Sequence, residues 1–340
     1  MRRLIALALT ALALTACASP AVQRPLAPAA SFQGPRLEPQ AFVSFDGARL
    51  GLTRWDAEGG EPWAVIVGVH GMNDYANAFH MAGPAWARQG ITTYAYDQRG
   101  FGRSPRRGVW GGESLMTEDL RTIVALARQR HPRALIAVAG ESLGGSVAIA
   151  AFASDRPPAA DRLILLAPGV WGWSNQPLTY KAALWIATRV APSKVFTPPD
   201  WVTAKVHASD NVEELRAMGR DPLMIWGART DALYGLVEIM EHAWRRVGQV
   251  RAPTLYLYGD HDQIIPKTPT YQAASRLPGV RTAFYARGWH LLLRDNQAPV
   301  VWADVAAWLK APAAPLPSGA PPIPSGKAAR ARVVASGGGA

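Results

Sequence analysis

Gly140-Glu141-Ser142-Leu143-Gly144-Gly145 is where residue type and spacing point most directly to chemistry. The apolar run Leu135–Ala139 precedes it, and the apolar, small-residue run Leu143–Ser154 follows it. A serine in G-x-S-x-G between a strand and a helix sits on a sharp turn that lifts its hydroxyl above a sheet. The flanking glycines allow that turn with little side-chain crowding. A helix starting beside Ser142 would offer free N–H groups to a developing negative charge. Ser142 is therefore the expected nucleophile; the alternative is a surface serine at a glycine-rich helix start.

A serine hydroxyl needs a base within hydrogen-bond reach. On a strand–turn–helix scaffold of this kind the partners follow in the order Ser, acid, His. Gly259-Asp260-His261-Asp262 follows the run Thr254–Tyr258, and Gly288-Trp289-His290 follows Arg281–Tyr285. Asp262 lies three residues past Gly259 and four before Pro266, the G-x-x-D-x-x-x-P spacing of hydrolase acid loops. It is preferred to Asp260, which is expected to brace the turn. His290 is preferred as the base to His70 and His261. A tetrahedral oxyanion needs preorganised N–H donors, each worth about 3 kcal/mol of barrier. Leu143 should supply one. Met72, in His70-Gly71-Met72-Asn73-Asp74, should supply the other. No histidine spacing such as H-E-x-x-H occurs, so neither a metal nor another cofactor is expected.

These residues require elements that bring them to one sheet edge. Apolar runs bounded by turn residues predict strands at Ala41–Phe45, Arg49–Trp55, Trp63–Val69, Ile91–Tyr96, Leu135–Ala139, Arg162–Ala167, Thr254–Tyr258 and Arg281–Tyr285. Helical spacing is present over Ser114–Arg130, Leu143–Ser154 and Pro299–Leu309. Alternating strands and helices imply a mostly parallel sheet covered on both faces. About residues 169–250 have no clear strand and read as a helical cap over the binding edge. Trp171, Trp173, Trp185, Trp201, Trp226 and Trp244 lie there. They would line an apolar pocket or pack the cap onto the body.

The chain has 340 residues, 36 Lys plus Arg against 25 Asp plus Glu, and one cysteine. Nearly half of it is hydrophobic, which excludes a wholly disordered chain. One cysteine excludes an intramolecular disulfide framework and any multi-cysteine metal site. The net +11 sits largely at the ends: Arg2, Arg3, Arg24 and Arg36 before residue 41, and Lys327, Arg330 and Arg332 after residue 310. No basic stripe is visible between them, so nucleic acid is not an expected partner.

Met-Arg-Arg followed by the apolar run Leu4–Leu14 reads as a secretory signal, far too short to span a bilayer. Leu14-Thr15-Ala16-Cys17 resembles the bacterial lipoprotein signal, whose cysteine is lipidated. The expected organisation is a signal at 1–16, a tether at 17–40, a catalytic domain at 41–310 and a disordered tail at 311–340. Ala18, in place of the aspartate that by resemblance retains lipoproteins in the inner membrane, favours the outer membrane.

The domain as a whole resembles an α/β-hydrolase of the monoacylglycerol lipase/lysophospholipase group, also grouped with serine aminopeptidase-like hydrolases. Asp46-Gly47, His70-Gly71-Met72, Asp97-Gln98-Arg99-Gly100-Phe101-Gly102-Arg103-Ser104, Gly140–Gly145, Asp221-Pro222-Leu223, Gly259–Asp262 and Gly288–His290 carry the likeness. The oxyanion loop departs from it, with Met72-Asn73-Asp74 where the group commonly has glycine and an acid–histidine pair. The resemblance implies an eight-stranded, mostly parallel sheet with a helical cap, and cofactor-free hydrolysis of fatty-acyl esters; the envelope membrane is expected from the lipoprotein-like signal alone, which lies outside it. Two other readings stand beside it. One is an aminopeptidase using Asp210, Glu213, Glu214 or Asp231 to bind a free amine. The other is a non-catalytic envelope lipoprotein on a hydrolase scaffold.

Overall fold

The computed structural model describes residues 20–199 and 205–325. The predicted signal, Cys17, Trp201 and the basic residues after 326 lie outside the described residues.

The sheet is built from β1 (Arg36–Leu37), β2 (Ala41–Val43), β3 (Arg49–Trp55), β4 (Ala64–Val69), β5 (Ile91–Tyr96), β6 (Leu135–Glu141), β7 (Arg162–Leu166), β10 (Thr254–Gly259) and β11 (Arg281–Tyr285). Their spatial order is β1-β2-β3-β5-β4-β6-β7-β10-β11. β1, β2, β3 and β5 pair antiparallel in succession, and the pairs from β5 to β11 are all parallel. All six β4 residues are buried because both faces of the sheet are covered. Alternation along β4 divides the core. Val65, Val67 and Val69 join one cluster with α2 (Glu113–Arg130) and α3 (Leu143–Phe152). Ala64 and Ile66 join the other, with α1 (Ala82–Ala87) and the terminal helix Ala298–Lys310.

The sheet has nine strands where eight were expected. Arg36–Leu37 adds to β2, with the Glu38 N–H donating to the Ala41 carbonyl at 2.8 Å. Ordered structure also extends beyond 41–310 on both sides. The Gln23 N–H donates to the Trp110 carbonyl at 2.8 Å, and the Leu26 N–H to Asp46 at 2.8 Å. After residue 310, Leu316 and Ile323 are buried, and the Phe284 N–H of edge strand β11 donates to the Pro321 carbonyl at 2.8 Å. Composition suggested loose ends here. An extended proline-rich segment can still cover a sheet edge, because its carbonyls accept even where its nitrogens cannot donate.

The Asp97–Ser104 segment braces the body. Arg99 is buried in bidentate pairs with Asp46 and Asp119, and Asp97 accepts from the backbone N–H groups of Ala76 and Arg103. The cap contains α4 (Leu178–Val190), α5 (Val212–Arg220) and α6 (Thr230–Arg246). It also has a two-stranded ribbon, β8 (Val195–Phe196) with β9 (Ala228–Arg229), too short to register as a sequence pattern. No helix among the described residues is long and apolar enough to cross a membrane.

Candidate active site

Ser142 stands between β6 and α3 with φ 52° and ψ −116°. A positive φ at a non-glycine residue is strained and holds only where the surroundings fix it. Here the Ser142 N–H donates to the Leu166 carbonyl at 3.0 Å, and its carbonyl accepts from Gly169 at 2.8 Å. Two glycines make room for the turn. A Cβ on Gly140 would come within 2.5 Å of the Gly144 carbonyl, and one on Gly144 would overlap the Val69 carbonyl.

Asp262 and His290 meet over the ends of β10 and β11. His290 Nδ1 lies 2.9 Å from Asp262 Oδ2. The other oxygen, Oδ1, accepts from the N–H groups of Ile264 at 2.8 Å and Ile265 at 2.9 Å, which fixes the carboxylate. With Nδ1 facing a carboxylate, the ring's Nε2 is the nitrogen left to accept a proton. Burial opposes the charged ring. Asp262 beside it, with Glu141 and Asp295 adding to the field, outweighs that and holds the His290 pKa above its ordinary value.

The rejected candidates are committed elsewhere. Asp260 pairs with Lys267 at 2.7 Å, near the surface. His261 packs edge-on against Trp289. His70 is buried, and burial pushes its pKa down. Its Nδ1 donates to the Gly71 carbonyl at 2.7 Å, and its Nε2 accepts the Gln98 N–H at 2.9 Å. His70 therefore holds the shape of the loop carrying Met72. That loop passes against Ser142, with a Cβ on Gly71 falling 3.3 Å from the Ser142 Cβ. The Met72 and Leu143 N–H groups have no backbone partner among the described residues.

Sequence reading missed a buried charge cluster under the site. Arg294 is fully buried and reaches Asp74 at 2.6 Å, Glu141 at 3.0 Å and Glu214 at 3.8 Å. Burial, with Asp74 adding to it, raises the Glu141 pKa against the pull of Arg294 and His290. The one signal for this cluster was Arg294-Asp295 directly after the apolar run Leu291–Leu293.

Above Ser142 and His290 lies a chamber of about 440 Å³. Its walls are mostly apolar: Met72, Ile264 and Leu291 from the body, Met218, Met224 and Leu233 from the cap. Phe196 and Trp226 line it and are also half-exposed. Trp226 is the only tryptophan in the described lining. Trp173 packs against Tyr234, and Trp244 stacks on Arg276. Most of the described cap tryptophans thus serve packing or the surface, the second of the two expectations, and Trp226 follows the first. The cap is tied to the segment His70–Tyr75. The Ile225 N–H donates to the Asn73 carbonyl at 3.0 Å, and Tyr75 donates to Asp221 at 2.6 Å.

A family model described as "Serine aminopeptidase, S33" matches residues 60–297, from before the His70 loop to past His290. The chain belongs to this family. Among proteins similar to this S33 member is the monoacylglycerol lipase of Mycolicibacterium smegmatis, 26% identical over 79% of this chain and 95% of that protein. A monoglyceride lipase of Rattus norvegicus is 24% identical over 75% of this chain and 84% of its own length. Among solved structures, a soluble variant of monoglyceride lipase from Saccharomyces cerevisiae superposes with a TM-score of 0.67, at 17% identity, covering 84% of this chain and 98% of that one. A carboxyl esterase from Bacillus coagulans gives 0.66 at 18% identity, covering 79% and 96%. These structural matches establish the α/β-hydrolase fold for the S33 domain described above.

Proposed function

We propose that this S33-family hydrolase cleaves carboxylic esters of fatty acids, with monoacylglycerol- or lysophospholipid-like lipids as substrates. The carrying observation is the apolar chamber, which has Ser142 and His290 in its lining. A cavity of this size suits an acyl chain, because apolar walls favour burying methylene groups at about 0.8 kcal/mol each. The similar proteins named as monoacylglycerol and monoglyceride lipases support the same substrate class.

In this mechanism His290, oriented by Asp262, takes the Ser142 proton as Ser142 attacks the ester carbonyl. The Met72 and Leu143 N–H groups hold the oxyanion. His290 then protonates the leaving alcohol, and water, activated by the same ring, releases the acid.

The amine-binding alternative lacks support in the cap. Glu214 faces Arg294, Asp231 pairs with Arg229 at 2.6 Å, and Asp210 accepts the Asn296 N–H at 2.9 Å. None of the four acids considered for that role lines the chamber. We further propose that Cys17 is the lipidated first residue of the mature protein, anchored in the bacterial cell envelope and, following Ala18, at the outer membrane.

The test is a substrate panel on the chain lacking residues 1–17. It compares esters of graded acyl length, monoacylglycerols, lysophospholipids and aminoacyl amides, with Ser142→Ala as control. Ester hydrolysis that rises with chain length and is lost in Ser142→Ala supports the reading. Faster cleavage of the amides, or no labelling of Ser142 by a fluorophosphonate in folded protein, overturns it.

A further inference from the structure

The N-terminal segment is fastened to the cap. The Ala21 N–H donates to Asp231 Oδ2 at 3.2 Å, where α6 begins. Val22 bridges to Trp110, and the buried Gln23 side chain donates to the Val109 carbonyl at 2.9 Å. Asp231 is in turn clamped by Arg229, at 2.9 and 2.6 Å. Arg229 lies in β9, directly opposite Val195 of β8. Three residues separate Cys17 from Ala21, so even a fully extended chain, four Cα–Cα steps long, spans no more than about 14 Å between Cys17 and this clamp.

The surface next to the clamp is apolar. Val195 and Phe196 are half-exposed, as are Trp185, Ile186 and Val190 of α4, and Leu178 is 79% exposed. So many exposed large apolar side chains in residues 178–196 are uncommon on a soluble monomer and mark a contact surface. It runs into the chamber, because Phe196 and Trp226 belong to both. Its charge is one-sided: Lys181, Arg189 and Lys194 occur between Gly169 and Pro199, with no carboxylate in that stretch. Apolar side chains among cations match the surface of an anionic bilayer.

We infer that residues 20–26 act as a strap, holding the anchor at Cys17 beside the cap so that α4, β8 and the chamber mouth rest on the bilayer that carries the anchor. The occupant of the patch is that lipid surface. The inference rests on the lipidated, lipid-cleaving reading above and adds an orientation to it. The chain before residue 41 would then aim the enzyme, where a free tether would leave it to tumble.

The experiment uses the full lipidated chain in vesicles of phosphatidylethanolamine and phosphatidylglycerol. An environment-sensitive fluorophore is placed at Ile186→Cys in the patch or at Ser275→Cys, an exposed position of the helix Lys267–Arg276. The expected result is a blue shift, with quenching by brominated lipid, at position 186 and neither at position 275. No shift at 186, or equal shifts at both positions, overturns the orientation. A shift at 186 without vesicles, together with a dimer in solution, assigns the patch to a second copy and also overturns it. The mass of the N-terminal peptide reports the anchor separately, and an unmodified Cys17 removes the strap's function. Hydrolysis of a soluble short-chain ester by the same proteins reports the catalytic reading independently.

Discussion

Arg294, four residues beyond His290, lies 3.0 Å from Glu141, the residue that precedes Ser142. One buried guanidinium thus joins the His290 loop to the Ser142 turn. Through Asp74 and Glu214 it also reaches the His70–Asp74 loop and the cap. Removing one partner of such a cluster leaves the others charged and unpaired in a dry interior. Arg294→Met is expected to cost about 3–5 kcal/mol of stability, read as a lowered urea midpoint. Arg294→Lys should restore part of it, because an ammonium keeps the charge but not the fork of donors.

Asp262, with Glu141 of this cluster and Asp295 adding to it, sets the pH response. In the proposed mechanism His290 must be neutral to accept the Ser142 proton, and its pKa lies above the ordinary value. The acid limb of the kcat/KM profile should therefore fall above the usual histidine value of about 6.5. Glu141→Gln removes one of the charges that favour the imidazolium, so the limb should move to lower pH. The raised pKa also has a linkage consequence. Its contribution to stability is fully present below the unfolded-state value and is lost as pH rises through the folded-state value. A pH–rate profile of the two proteins, with unfolding followed in parallel, checks both signs.

The two acid-loop carboxylates should separate cleanly. Asp262→Asn is expected to lower kcat by about 10⁴-fold, as loss of the orienting acid does in serine hydrolases. Asp260→Asn loses only a partly exposed pair with Lys267, worth about 0–1 kcal/mol. Its kcat should stay close to that of the parent, and steady-state rates on one soluble ester decide the matter.

Glycines give a further contrast. Gly144→Ala would drive a Cβ into the Val69 carbonyl and should abolish either folding or activity. Gly219 is exposed in α5 with open space where its Cβ would be, so Gly219→Ala should add about 0.5–1 kcal/mol. Thermal melts of the two variants against the parent test this.

The chamber predicts chain-length selectivity. Leu233→Trp fills space in its cap wall and should lower kcat/KM for long-chain esters at least about tenfold. Short-chain esters should be nearly unaffected. A ratio unchanged across the ester series would show that the acyl chain lies elsewhere.

Much of this was legible along the chain. Continuous apolar runs such as Val65–Val69 marked buried parallel strands, because both faces of the sheet are covered. G-x-S-x-G between a strand and a helix marked the Ser142 turn, because only glycine tolerates the close approaches around it. The spacing of Asp262 and His290 after the last two strands followed from the order of the sheet. What escaped the sequence is what depends on contacts between distant segments. Arg36–Leu37 becomes a ninth strand only because β2 offers an edge. The Ala/Pro segments on either side of 41–310 looked loose by composition, yet Gln23, Leu316 and Ile323 are buried.

By itself, then, the sequence determined the scaffold and nominated Ser142, Asp262 and His290, since local periodicity and turn chemistry are written in neighbouring positions. Only the tertiary structure decided their surroundings. It showed that Asp260 and His70 are held by other partners, that methionine, leucine and isoleucine outnumber tryptophan in the described chamber lining, and that Arg294 ties loops more than 200 residues apart. Those facts depend on which side chains meet across the fold, and spacing along a chain carries no record of that.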